Sequence, residues 1–164
     1  MDTHTRYLLD RIEIQDVIAR YAIGQDAHQS DDDLLQHWDH VFTPDAVVDY
    51  TAGGFRVGTY TELARWMRGN AIDHGERDGV MHGFTGWQHM LGLPTVTVDA
   101  DTATARTDLL ATHRIGPHHS ATGYLSDACT FHDSLSRTAA GWRITHRRLE
   151  VHWVDTFPVL PSQA

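Results

Sequence analysis

In the series Ile14, Ile18, Ala22 and Asp26 each residue lies four places after the last. On a helix that spacing holds one face, so a buried apolar stripe ends in an inward-pointing carboxylate. An unpaired buried charge costs several kcal/mol, on the order of a whole domain's margin of stability, so Asp26 requires a hydrogen-bonding or cationic partner or a wet cavity. The alternative is that the stripe drifts and leaves Asp26 at the surface. After Gly83, strand alternation puts Trp87, His89 and Leu91 on one face and Gln88 and Met90 on the other. On a later strand Thr107, Leu109, Ala111 and His113 share a face opposite Asp108, Leu110 and Thr112. A lone inward histidine is more often a satisfied core group than a catalyst. Two of them with an inward aspartate make a set suited to proton transfer.

Other candidates carry less. The chain has 13 histidines, but His28, His37, His40, His74 and His132 show no tight ligand spacing, and the neighbours His118 and His119 diverge. With no HExxH motif or Cys/His pair, no metal is expected. No cofactor is expected either, because there is no glycine-rich phosphate loop and no redox motif. The single Cys129 excludes an internal disulfide and reads as buried filler. Trp38, Phe42, Trp66 and Trp87, together with Cys129 and Phe131, are candidates to line an apolar ligand cavity, the alternative being plain core. His82 reads as a loop residue, and Arg147 and Arg148 as sheet-face residues near acidic groups.

The elements that must position these residues follow from periodicity. Leu8, Ile12, Ile14, Ile18, Tyr21 and Ala22 define a first helix from Tyr7 to about His28. Ser30 to Asp33 supply a cap for a second, carrying Leu34, Leu35, Trp38, Val41 and Phe42. Thr43-Pro44-Asp45 breaks it, and Ala46 to Tyr50 form a short strand before Gly53-Gly54. Thr59 with Glu62 forms a capping box for a third helix bearing Leu63, Trp66 and Met67. Thr85 to Leu91, Thr95 to Val98, Thr102 to Arg114, Thr122 to Arg137 and Trp142 to Trp153 then read as long antiparallel strands, with turns at Asp99-Ala100-Asp101 and Ala139-Ala140-Gly141. Helices followed by hairpins predict an α+β fold, three N-terminal helices on a curved, mainly antiparallel sheet.

At 164 residues the chain has the size of one domain, expected over residues 1–157, with 158–164 as a tail. A net charge of -9 without a Lys/Arg cluster opposes binding to nucleic acid or an anionic membrane. No apolar run reaches the ~20 residues of a membrane span, and the N-terminus lacks a signal-peptide core, so a cytoplasmic location is expected.

The segments IEIQDVIARYAIGQDAH, VFTPDAVVDYTAGG, WQHMLGLPTVTVDADTATART and AGWRITHRRLEVHW, in that order, resemble the SnoaL-like branch of the nuclear transport factor 2-like superfamily. The resemblance implies a cone-shaped α+β barrel. Its nearest functional pattern is that of the scytalone dehydratases and hexachlorocyclohexane dehydrochlorinases, in which an aspartate ending the first helix orients a histidine base on a QH strand. Asp26 and His89 stand at those places, and Tyr50 and His113 match a further pocket tyrosine and histidine of the dehydratases. Gln25 replaces the tyrosine of the dehydratase Tyr-Asp pair, and the later pocket asparagine has no counterpart among Cys129, Thr130 and His132. The resemblance implies a small-molecule lyase acting on a hydrophobic organic substrate and associating as a homodimer or homotrimer. An isomerase or cyclase of the same fold, or a non-catalytic binding protein or dioxygenase small subunit, are the rival readings, and the Asp-Arg-Asp set of limonene-epoxide hydrolases is not evident.

Overall fold

The computed structural model describes residues 2–27, 33–69, 78–117 and 123–159. The sequence expectations for His28, Ser30 to Asp32, His74, His118, His119, Thr122 and most of the C-terminal tail lie outside the described residues. The elements run α1 (Thr3–Ala27), α2 (Leu34–Trp38), β1 (Phe42–Asp49), β2 (Val57–Thr59), α3 (Tyr60–Arg68), β3 (Phe84–Leu91), β4 (Thr95–Asp99), β5 (Thr102–Ile115), β6 (Tyr124–Thr138) and β7 (Gly141–Phe157). Three helices pack on one curled, unclosed sheet of order β2-β1-β7-β6-β5-β3, with β4 also paired to β5. All pairings are antiparallel except β1 with β7. This is the α+β cone predicted above.

The inward face of α1 is Asp10, Ile14, Val17, Ile18, Tyr21, Ala22 and Gln25. Leu8 and Ile12, placed on the buried stripe by the sequence reading, are exposed, Ile12 at 54%. Steps of four residues rotate about 40° on a helix of 3.6 residues per turn, so the buried line winds around α1 and passes to Asp10 rather than to its apolar neighbours. Asp10 is held there by Arg137, whose two terminal nitrogens each bond a carboxylate oxygen at 2.7 Å, and by the Trp142 indole at 3.2 Å.

Two local expectations change. The second helix stops at Trp38 instead of reaching Phe42. The Thr43-Pro44-Asp45 segment lies inside β1 rather than before it, because the β1–β7 register shifts between Phe42 and Val47 and the irregularity accommodates a proline without an N–H. The capping box is present: Glu62 N–H donates to Thr59 Oγ1 at 3.2 Å and Thr59 N–H to Glu62 Oε2 at 2.8 Å. At the start of β7, Gly141 takes φ 95°, a left-handed value that favours glycine.

Register shifts also occur between β6 and β7, at Ala128/Cys129 and Ser134/Leu135. Each inserts a residue in β7 and reverses which residues point inward. Arg147 therefore faces the core while Arg148 faces out. The Arg147 guanidinium bonds both oxygens of Asp133 at 2.7 and 2.8 Å, with both side chains fully buried. It lies over the rings of Tyr21 at 4.3 Å and Phe131 at 4.0 Å. Removing one member strands a buried charge, so Asp133→Ala should lower unfolding free energy by about 3–5 kcal/mol in urea titrations. Arg147→Met combined with Asp133→Leu should recover much of that loss.

Candidate active site

The last turn of α1 faces β3. Asp26 Oδ1 lies 2.7 Å from His89 Nδ1, and Oδ2 accepts the backbone N–H of His89 at 2.8 Å. The histidine and aspartate side chains are 10% and 22% exposed, so the pair sits at the edge of solvent. A carboxylate can only accept, so Nδ1 carries the hydrogen and Nε2 of the neutral ring is left with a lone pair. The end of α1 is fixed by further bonds. The Gln25 carbonyl accepts from Trp87 Nε1 at 2.8 Å and from Arg68 at 3.0 Å, and the Arg68 guanidinium lies 4.6 Å from the centre of the Trp87 ring.

His89 lines an open cavity of about 430 Å³ between α1, α3 and the inner face of the sheet. Tyr50, His113, Trp66, Cys129 and Phe131, all expected at a ligand site, line it too, as do Tyr21, Gln25 and Asp127. Trp38, Phe42 and Trp87 do not. Trp38 stacks on Tyr21 at 4.8 Å in the core, Phe42 stacks on Tyr60 at 5.1 Å, and Trp87 is engaged with α1 as described. Asp26 stands behind His89 and holds it. His82 is exposed and outside the lining. His132 faces a groove on the outer side of the sheet, where its Nε2 is 2.8 Å from Glu150. Among the described residues no group of three or more His, Cys, Asp or Glu is placed to hold a metal ion, and no helix is long and apolar enough to cross a membrane.

The matching family model is the SnoaL-like domain, over residues 6–148. The chain belongs to the SnoaL-like family. An uncharacterised protein of Mycobacterium tuberculosis is 33% identical over 138 residues, covering 84% of this chain and 82% of that one. Hexachlorocyclohexane dehydrochlorinase of Novosphingobium barchaimii shares the fold with a TM-score of 0.73 at 16% identity, over 97% and 99% of the two chains. A scytalone dehydratase-like protein of Novosphingobium aromaticivorans gives 0.69 at 17% identity over 99% of each.

Within this SnoaL-like cavity, burial sorts the polar groups by charge. The Tyr50 and Tyr21 hydroxyls are 2.8 Å apart, and burial pushes both above the usual tyrosine value, Tyr50 well above it, so both stay protonated. Burial raises the Cys129 thiol to about 12, which removes it as a nucleophile near neutrality. Burial, and then the nearby His89, lower the His113 imidazole to about 4. Its ring stands edge-on to His89 at 6.0 Å. Burial raises the Asp127 carboxyl, with its Oδ2 at 3.9 Å from His113 Nδ1, beyond hydrogen-bond range. The sequence reading missed Asp127 although the signal was present: it is two residues before Cys129 and four before Phe131 on an alternating strand.

His113 makes stability depend on pH with a definite sign. Its folded value of about 4 lies below the ordinary 6.5, so between these values the unfolded chain binds the extra proton. The contribution is complete above pH 6.5 and is lost as pH falls toward 4. In NMR titration the His113 ring should stay neutral until pH approaches 4, and His113→Gln should flatten the decline of stability between pH 6.5 and 4.

Proposed function

We propose that this protein is a cofactor-independent lyase of the dehydratase type, in which Asp26 and His89 remove a carbon-bound proton from a hydroxy-ketone of polyketide, terpenoid or aromatic character. The observation that carries the reading is the two-point grip of Asp26 on His89 at 2.7 and 2.8 Å, which leaves Nε2 as the basic nitrogen of a ring at the cavity wall. The substrate is a small, largely apolar molecule, in keeping with a cavity of about 430 Å³ whose lining mixes Trp66, Phe131 and Leu109 with a few polar groups. The fold shared with a dehydrochlorinase and a scytalone dehydratase-like protein is in keeping with elimination chemistry.

In this mechanism His89 Nε2 takes the proton from the carbon next to the carbonyl. Asp26 stabilises the imidazolium that results, without taking the proton itself. The Tyr50 hydroxyl and the neutral His113 ring donate hydrogen bonds to the carbonyl or to the departing oxygen while charge develops. The electron pair then forms the carbon–carbon double bond, and the hydroxyl takes a proton from an acidic group of the cavity and leaves as water. His89→Ala should reduce turnover of hydroxy-ketone substrates by about 10²- to 10⁴-fold while leaving the circular dichroism spectrum and unfolding midpoint unchanged. Asp26→Asn should reduce it as well. Full activity in His89→Ala would exclude the dyad, and a product of unchanged mass would replace the lyase with an isomerase or cyclase.

The reading includes a homodimer or homotrimer. Met90, Leu110, Ala128 and Trp153 lie in one register row across the outer face of β3, β5, β6 and β7. Met90 is 62% and Trp153 46% exposed, an apolar line suited to a second copy. Leu110→Glu should shift sedimentation toward the monomer.

A further inference from the structure

On the inner face, directly behind that apolar row, the register places His89 opposite Ala111, and Ala111 opposite Asp127. Two strand spacings separate the backbones of His89 and Asp127 by roughly 10 Å. The residue between them is an alanine, whose single methyl leaves the space above it open. His113, two places along β5 from Ala111, closes one side of this gap, at 6.0 Å from the His89 ring and 3.9 Å from Asp127. Asp127 Oδ1, His113 Nδ1 and Gln25 Oε1 are sealed from solvent and have no hydrogen-bond partner among the described residues, and all three side chains line the cavity. Buried polar atoms without partners destabilise a fold, and these three belong to side chains that meet at one cavity.

We propose that Asp127 is a second catalytic residue, the acid that protonates the departing hydroxyl, and that with His113 it forms a subsite for the β-oxygen of a β-hydroxy-ketone. The proposal rests on the lyase reading and adds the acid to its base. The ligand lies over Ala111 with its acidic C–H toward His89 and its C–O bond toward Asp127. His89 Nε2 takes the proton from the α-carbon, and the C–H electron pair becomes the double bond. The β-carbon–oxygen bond breaks, and the oxygen takes the Asp127 proton and leaves as water. His89 is left as imidazolium and Asp127 as carboxylate, and transfer of one proton from the first to the second restores the site.

The environment favours this division of labour. Tyr50 is too weakly acidic in its buried pair with Tyr21, and His113 is neutral over the physiological range, whereas burial keeps the Asp127 carboxyl protonated to higher pH than an ordinary aspartate. A charged His89 acts in the opposite direction on Asp127, favouring the carboxylate. Proton arrival at the base therefore promotes proton release by the acid.

The test uses two leaving groups. A β-hydroxy-β-phenyl ketone loses hydroxide, which needs a proton to depart, whereas the matching β-(para-nitrophenoxy) ketone loses a stable phenolate that does not. Asp127→Asn keeps the shape but has no acidic proton. It should lose at least about 100-fold on the hydroxy-ketone and less than about 10-fold on the nitrophenoxy ketone, while His89→Ala loses both. Unfolding midpoints establish that both variants are folded. An equal loss on the two probes, or no loss on either, overturns the acid role of Asp127 and leaves the base intact. Turnover of both probes undiminished in His89→Ala, or of neither by the unaltered protein, overturns the lyase reading and this proposal with it.

Discussion

Asp26 uses both carboxylate oxygens on one residue, the backbone N–H and the Nδ1 of His89, 63 positions further along the chain. Had only the ring been bonded, it would be free to pivot. Because the backbone is bonded as well, the end of α1 and the middle of β3 form one rigid unit. The cavity exists where that unit, α3 and the inner sheet face fail to close on one another. At the other end of α1 a second carboxylate, Asp10, is gripped by Arg137 and Trp142 from β6 and β7. Asp10, Ile14, Ile18, Ala22 and Asp26 are spaced by four, so one winding line on the helix begins and ends in an anchored acid. The helix is thereby latched to different parts of the sheet, β3 at one end and β6 and β7 at the other.

How much of this was legible depends on the kind of signal involved. Period-four and period-two patterns are local, and they located α1, α3, the long strands, Asp26, His89 and His113 with inward aspects that the structure bears out. Where local pattern and pairing conflict, pairing wins. The register shift at Ser134/Leu135 reverses inward and outward along β7 after Ile144, which is why Arg147 is a fully buried charge rather than a sheet-face group. The shift in β1 admits Pro44 into a strand that propensity alone would end. The aromatic assignments to the cavity divided for a similar reason. Trp38, Phe42 and Trp66 are alike as residue types, and only the packing of α2 and β1 against Tyr21 and Tyr60 decides that the first two are core and the third is lining.

The cavity combines groups whose charge states are set by one cause, removal from water. Burial holds two tyrosines and a cysteine protonated, a histidine neutral and an aspartate toward its acid form. Beside this set Asp26 holds His89 through both carboxylate oxygens, whereas His113, equally buried, has no carboxylate within hydrogen-bond range among the described residues. On the proposed reading, that contrast separates a base, His89, from the protonated or neutral groups around it.

The central claim is that Asp26 fixes His89 with hydrogen on Nδ1 and a lone pair on Nε2. The ¹⁵N spectrum of the His89 ring reads this directly, since protonated and bare ring nitrogens resonate far apart. The neutral ring should show a protonated Nδ1 and a bare Nε2, and Asp26→Asn should abolish that bias. A neutral ring protonated at Nε2, or a tautomer mixture unaffected by Asp26→Asn, would contradict the account.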